Sequence, residues 1–267
     1  MPEPHPVILI TGASSGIGEA TARVFATQRY QVILAARRLD RLETLANEIR
    51  GLGGLALPVA ADLSELAQID HLVRTSLAEV GHIDVLFNNA GFGRLNWLEN
   101  LDPIEDIEKQ LGVNLLGVLQ TTRAVLPHMI TRRRGHIINM ASMAGFVGTP
   151  TYTIYSASKF AVRGFTEALR REVGVYGIRV SGIYPGGVET EFSQHIGYRR
   201  KTGVITARRL RLSAEDVART VLDLVRQPRR TVIIPAPMRL VAWFNFLFPG
   251  VVDWLVERRF TRPERGL

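Results

Sequence analysis

Seven short apolar stretches punctuate the chain, at 7–10, 31–36, 55–60, 83–87, 136–140, 177–184 and 231–234. Most are rich in β-branched residues and run continuously apolar instead of alternating, the pattern of strands buried on both faces of a parallel sheet. Helical stretches separate them: 19–28, 39–50, a segment after 64, a long one over 103–134, and one that Ser213 should cap and that ends near Gln227. Strand and helix in regular alternation predict an α/β fold, a doubly wound parallel sheet of about seven strands with helices on both faces.

The first strand runs into Thr11-Gly12-Ala13-Ser14-Ser15-Gly16-Ile17-Gly18 and then a helix. Glycines between a strand and a helix start make a phosphate cradle, because the backbone can approach a pyrophosphate and the helix end offers unpaired amides. The spacing G-x-x-x-G-x-G is a variant of the dinucleotide fingerprint. The second strand ends in Ala36-Arg37-Arg38, with no acid to hold an adenosine ribose. Arginine there suits a 2′-phosphate, so NADP(H) is expected in preference to NAD(H), with Arg37 the first candidate and Arg38 the second. Solvated loop arginines are the bland alternative.

Asp62 and Leu63 follow the third strand, where a cofactor's adenine would lie, although Ser64 as a helix cap would make Asp62 part of an ordinary turn. The fourth strand leads into Asn88-Asn89-Ala90-Gly91, asparagines of the kind that satisfy loop backbone. Asn114 lies inside the long helical stretch, either as a polar packing residue or as a hydrogen-bonding holder. Ser142 closes the fifth strand and faces the same crevice as the glycine loop. Thirteen residues later come Tyr155 and Lys159, one helical turn apart on one face, so that the ammonium can stabilise the phenolate and Tyr155 can exchange a proton.

Composition narrows the classes. The 267 residues are 46% hydrophobic and 22% charged, ordinary for a globular protein. There is no cysteine, and the six histidines are scattered, so no metal site is expected. The net charge of +8 favours anionic partners, but the basic residues are dispersed and accompany no nucleic-acid-binding motif. Of 33 basic residues three are lysines, at 109, 159 and 201, which favours a specific role for Lys159. The N-terminus carries no signal-peptide pattern, so a cytoplasmic protein is expected.

The set Thr11-Gly12-x3-Gly16-x-Gly18, Asn88-Asn89-Ala90-Gly91, Asn114, Ser142, Tyr155-x3-Lys159 and Pro185-Gly186 closely resembles the short-chain dehydrogenase/reductase family, in its shorter single-domain, Rossmann-type branch. The resemblance runs from Thr11 to Thr190. It implies a tetrad of Asn114, Ser142, Tyr155 and Lys159, with Tyr155 as general acid or base, Ser142 on the substrate oxygen, Lys159 on the nicotinamide ribose and lowering the Tyr155 pKa, and Asn114 supporting a water path. Cofactor contacts are implied at Gly12, Ser14, Ser15, Gly16, Ile17, Gly18, Arg37, Arg38, Asp62, Leu63, Asn89, Ala90, Gly91, Tyr155, Lys159, Pro185, Gly186, Val188 and Thr190. A homodimer or homotetramer is implied too. Many NADP-using members carry a basic residue inside the glycine loop; here Ser14-Ser15 occupies that place. A non-catalytic NADP sensor or a peripheral membrane scaffold is the alternative function.

Residues 1–237 are thus expected to form the catalytic domain, with a lid at about 187–212. The remainder, 238–267, is an apolar C-terminal extension. Thirteen uncharged residues lie between Arg239 and Asp253, too few to span a bilayer and interrupted by Pro249-Gly250. A flap over an apolar pocket or a subunit contact is preferred over an interfacial anchor through 239–260, which Trp243, Trp254, Arg258 and Arg259 would suit. Each reading suggests a hydrophobic substrate.

Overall fold

The computed structural model describes residues 5–191 and 211–267. Its strands are β1 (Val7–Thr11), β2 (Gln31–Ala36), β3 (Leu55–Ala60), β4 (Val85–Asn88), β5 (Gly135–Met140), β6 (Ile178–Pro185) and β7 (Thr231–Ile234). All pair in parallel, in the order β3-β2-β1-β4-β5-β6-β7. The chain winds outward in one direction from β1 and in the other from β4, so the two neighbours diverge at their carboxyl ends and open a crevice there. The helices are α1 (Gly16–Thr27), α2 (Leu39–Gly51), α3 (Leu66–Val80), the single turn α4 (Lys109–Leu111), α5 (Val118–Arg132), α6 (Thr153–Val173), α7 (Ala214–Arg226), α8 (Met238–Leu247), α9 (Pro249–Val256) and the short α10 (Arg262–Arg265).

Strand β1 explains why continuous apolarity was needed. Ile8 and Ile10 point to a core shared with Phe25 of α1, Leu42 of α2 and Val221 of α7. Val7 and Leu9 point the other way, to Leu72 of α3, Val125 of α5 and Leu169 of α6. Each such fully buried aliphatic or aromatic side chain contributes about 1.5–3 kcal/mol, and the helices lie on both faces of the sheet because both faces require cover.

Several local expectations change in detail. Helix α1 begins at Gly16, inside the glycine motif. Ser64 does not cap α3: its N–H and Oγ both donate to Asp62 Oδ1, at 2.9 and 2.7 Å, and Glu65 stands at the N-cap. The long stretch of 103–134 is one helical path with two π-helical segments, Pro103–Glu108 and Gly112–Gly117, flanking α4. Ser213 caps α7 as expected, in a capping box with Asp216. The central part of the expected lid, 192–210, lies outside the described residues; at its borders Val188 bridges Leu212 and Glu189 pairs with Arg211 at 3.2 Å.

The basic run Arg132 to Arg134 has a structural role at the amino end of the sheet. Asp84 is buried, accepts from the Val7 N–H at 2.9 Å, and meets Arg132 and Arg134, each at 3.1 Å, and His82 at 3.2 Å. A buried carboxylate needs such neutralisation. Asp84→Ala should therefore lower unfolding free energy by about 2–3 kcal/mol, less than for a fully enclosed pair because Arg134 is exposed, with an unchanged m-value in urea. An unchanged denaturation midpoint would remove this role.

Candidate active site

The glycine loop is held by direct backbone packing, and its three glycines are needed for different reasons. Gly12 has φ +66°, and a Cβ there would lie 2.8 Å from Ala90 Cα. Gly16 has φ +56° and faces Thr190, whose side chain would be 3.3 Å from an added Cβ. Gly18 touches the loop itself: a Cβ would fall 2.2 Å from Gly12 O and 2.8 Å from Asn89 Nδ2. Asn89 completes the clasp, its Nδ2 donating to Thr11 O at 3.0 Å and Gly12 O at 3.3 Å. Thr11 Oγ1 in turn accepts from the Asn89 and Ala90 amides, at 3.0 and 3.1 Å. Ser15 stands at the N-cap of α1 without a side-chain cap bond. The first-turn amides of α1 thus retain their capacity for an anion, and the cradle fits a dinucleotide pyrophosphate.

The two arginines after β2 diverge. Arg37 is 71% exposed and comes within 3.9 Å of Asp62 Oδ2. Arg38 turns onto the glycine loop, with Nε and Nη2 donating to Ser14 Oγ at 3.2 and 3.0 Å and Nη2 also to Ser15 Oγ at 2.9 Å. A cation missing from the loop's own sequence is thereby delivered by the neighbouring strand. Glu191 Oε2 lies 3.6 Å from Arg38, and its other oxygen accepts from Arg41 at 2.9 Å. Sequence reasoning passed over Arg41 and Glu191; the i, i+3 spacing from Arg38 along α2 was the available signal for Arg41.

Ser142, Tyr155, Lys159 and Asn114 converge at the carboxyl ends of β4 and β5. Ser142 leaves β5 in extended backbone, where its Oγ accepts from the Ala144 N–H at 3.1 Å. The same hydroxyl is hydrogen-bonded to the phenol of Tyr155, in the first turn of α6. Lys159, one turn further, is buried; its Nζ donates to Met140 O at 3.0 Å and lies 5.6 Å from the Tyr155 ring centroid. Asn114, in the second π-helical segment, pins the chain beyond Gly91: its Nδ2 donates to Phe92 O at 2.7 Å and its Oδ1 accepts from the Phe92 N–H at 2.9 Å. Gly91 lies between these groups, where an added Cβ would crowd Asn114 Oδ1 at 3.0 Å and lie 3.6 Å from Lys159 Nζ.

Burial governs the electrostatics of this pocket. Burial pushes the Tyr155 phenol up to about 12, opposed by its hydrogen bond to Ser142. Burial pushes Lys159 down to about 8. Lys159 is not among the causes acting on the phenol, and its Nζ is engaged by the Met140 carbonyl. Desolvation is the leading cause at both groups.

Beneath the site Asn88 does something other than satisfy its loop. Its Nδ2 donates to Thr122 Oγ1 and Asn139 Oδ1, both at 2.9 Å, and Asn139 Nδ2 continues to Thr166 Oγ1 at 2.9 Å. This buried chain couples β4 and β5 to α5 and α6. Tyr152, its ring 6.1 Å from that of Tyr155, and Thr151, a buried β-branched residue at φ +68°, also border the site and were missed. Nothing in their sequence context marks them.

The remaining candidates are more peripheral. Leu63 is buried against Gly117, the Gly186 amide donates to Ile234 O at 2.8 Å at the end of β6, and Ile17 packs half-buried on the core. Asp62 is occupied by Ser64 and approached by Arg37. Among the described residues no cluster of His, Asp or Glu could hold a metal ion.

Residues 6–201 match the family described as short chain dehydrogenase, and the chain belongs to that family of oxidoreductases. Among its relatives is a 3-oxoacyl-[acyl-carrier-protein] reductase from Thermotoga maritima, 36% identical over 82% of this chain and 89% of that protein. A short chain dehydrogenase/reductase from Burkholderia phymatum, solved in complex with NAD, superposes with a TM-score of 0.83 at 27% identity, covering 93% of this chain and 95% of that one. A short-chain dehydrogenase from Sphingobium yanoikuyae in complex with NADPH gives 0.79 at 27% identity, with the same coverage.

Proposed function

We propose that this protein is an NADP(H)-dependent oxidoreductase acting between a hydrophobic ketone or aldehyde and the corresponding alcohol, with Tyr155 as general acid and base. The observation that carries the reading is the convergence of half-buried Ser142 with buried Tyr155, Lys159 and Asn114 beside a glycine loop able to take a pyrophosphate. The dinucleotide, when bound, supplies or accepts the hydride. In reduction the Tyr155 O–H donates its proton to the substrate oxygen as negative charge develops there, and Ser142 Oγ hydrogen-bonds the same oxygen. A phenol this weakly acidic needs cationic help at the moment of transfer, and Lys159 is the buried group one turn away that can provide it and relay a proton inward from solvent past Asn114 to restore the phenol. Solved structures similar to this chain hold NAD in one case and NADPH in another, so cofactor choice rests on this chain's own residues: no acid stands directly at the end of β2, and two arginines do.

Arg38 is assigned the larger share of 2′-phosphate recognition because it is already drawn to Ser14 and Ser15. Loss of a charge-assisted bond costs about 1.5–3 kcal/mol, or roughly 10- to 100-fold in affinity. Arg38→Ala should therefore raise the KM for NADPH by that factor and change that for NADH less than about threefold, with Arg37→Ala showing a smaller effect. Equal losses for both cofactors would remove the assignment. Consumption of NADPH and NADH in parallel, against a panel of apolar ketones and aldehydes, tests the reaction class itself.

A further inference from the structure

The C-terminal segment is fastened to the core at both ends and yet turns its apolar side chains outward. Ala242 of α8 is buried with Val118, Tyr184 and Ile233, and Asn245 Nδ2 donates to Phe146 O at 3.3 Å. At the far end Phe260 and Glu264 are buried, and Arg265 both pairs with Glu99 at 2.8 Å and stacks 3.9 Å over the Trp97 ring. Phe146 follows Ser142 by four residues, and Trp97 lies on the segment that begins at Gly91, so both fastenings border the candidate crevice. Between them ten large apolar side chains from Leu240 to Leu255 are each at least 37% exposed, with Leu240, Trp243 and Phe246 at 72, 63 and 77%. Leu240, Val241, Phe244, Leu247 and Phe248 line an open, almost wholly apolar groove of about 480 Å³. A flap that covered the crevice would turn these residues inward; here they face solvent.

A surface of this kind requires a partner. The charge around it indicates which one: Arg239 stands at one end and Arg258 and Arg259 at the other, none of them ion-paired among the described residues, and Asp253 is the single acid from 239 to 256. A second copy would bring the same cations against them. An anionic lipid surface would complement them, with Trp243 and Trp254 at the boundary and Arg258 held 5.5 Å over the Trp254 ring. Geometry argues against a span. Helix α8 and the helical run Pro249–Arg265 are bent by 109° to each other, and no single described helix is long and apolar enough to cross. Ten residues of α8 extend only about 15 Å, half of a hydrocarbon core. The segment also lies beyond the part of the chain that matches the family, 6–201.

We propose that the α8–α9 ridge docks this protein on the surface of an anionic phospholipid bilayer, its apolar side chains entering one leaflet and Arg239, Arg258 and Arg259 meeting headgroup phosphates. Docking in this way sets the crevice against the lipid surface.

The test uses the full chain with vesicles of phosphatidylcholine alone or with roughly 30% phosphatidylglycerol. Wild type should co-sediment with the anionic vesicles at least about tenfold more strongly than with the neutral ones, its tryptophan emission should shift to the blue, and binding should weaken at high salt. Trp243→Glu/Phe246→Glu and Arg258→Glu/Arg259→Glu should each lose about tenfold or more; all four positions are exposed, and circular dichroism checks that the fold survives. Absence of wild-type binding to anionic vesicles overturns the proposal whatever the variants do, and so does binding that Trp243→Glu/Phe246→Glu leaves intact. If wild type ignores vesicles but sediments as a dimer that Trp243→Glu/Phe246→Glu dissociates, the ridge is a subunit contact and the proposal fails. None of these readouts depends on turnover.

Discussion

Tyr155→Phe is expected to lower kcat/KM for carbonyl reduction by about 10²- to 10⁴-fold, the range for removing a positioned general acid. The substitution deletes one oxygen and keeps the ring, so the packing beside Tyr152 and under the Lys159 ammonium persists. Ser142 retains its bond from the Ala144 amide. The dissociation constant for NADPH should then stay within about threefold of wild type, and the loss should appear in the chemical step. Stopped-flow reduction with saturating NADPH separates the two. Turnover at the wild-type rate would end the assignment of Tyr155, and an equal loss of cofactor binding would make it a structural residue. Loss of one hydrogen bond to Ser142 should cost only about 1 kcal/mol of stability, far too little to mimic inactivation by unfolding.

Gly18→Ala should have the next largest consequence, through sterics alone. The added methyl would fall 2.2 Å from Gly12 O and 2.8 Å from Asn89 Nδ2, a backbone contact that no rotamer change can relieve. Either α1 moves away from the sheet or the loop moves away from Asn89, and both outcomes open the clasp that forms the cradle. Overpacking of this kind costs about 1–3 kcal/mol, which for a chain of this size lowers Tm by roughly 2–10 °C. Binding of either dinucleotide should weaken more than tenfold, because the amides of α1 no longer point where the loop does. Gly164→Ala serves as the control: that glycine is exposed within α6 with nothing within 4 Å of its added Cβ, so alanine should stabilise by up to about 1 kcal/mol. Identical melting temperatures for Gly18→Ala and wild type would show that the loop tolerates the shift and that the clasp is not essential.

The strands, their parallel pairing and the glycine cradle were legible because each is written in adjacent residues. A run such as Val7-Ile8-Leu9-Ile10 has no polar residue to spare for a solvent face, so it requires helices on both sides wherever it sits. The Tyr155 and Lys159 pair was legible for the same reason, since helical periodicity alone places them one turn apart. Ser213 caps its helix in a capping box with Asp216, whereas Ser64 has Ala67 three residues on and donates instead to the nearer acceptor, Asp62.

What stayed hidden was direction and environment. Arg37 and Arg38 are chemically identical neighbours, and alternation at the strand end sends one toward Asp62 and the other onto the glycine loop. Asn88 and Asn89 divide in the same way, one into a buried network with Thr122 and Asn139 and the other onto the backbone of Thr11 and Gly12. Thr151 carries no sign of its left-handed backbone, which the loop between Ser142 and α6 imposes.

By itself, then, the sequence determined the order of strands and helices, the places where glycine is obligatory, and the set of side chains that can gather at the carboxyl ends of β4 and β5. Those properties depend on local periodicity and on residue types a few positions apart. The tertiary structure alone decided that Arg38 turns to the loop, that burial raises the Tyr155 phenol and lowers Lys159, and that the C-terminal helices present their apolar side chains outward. Each of these is a sum of desolvation and contacts over segments far apart in the chain, and no local pattern contains that sum.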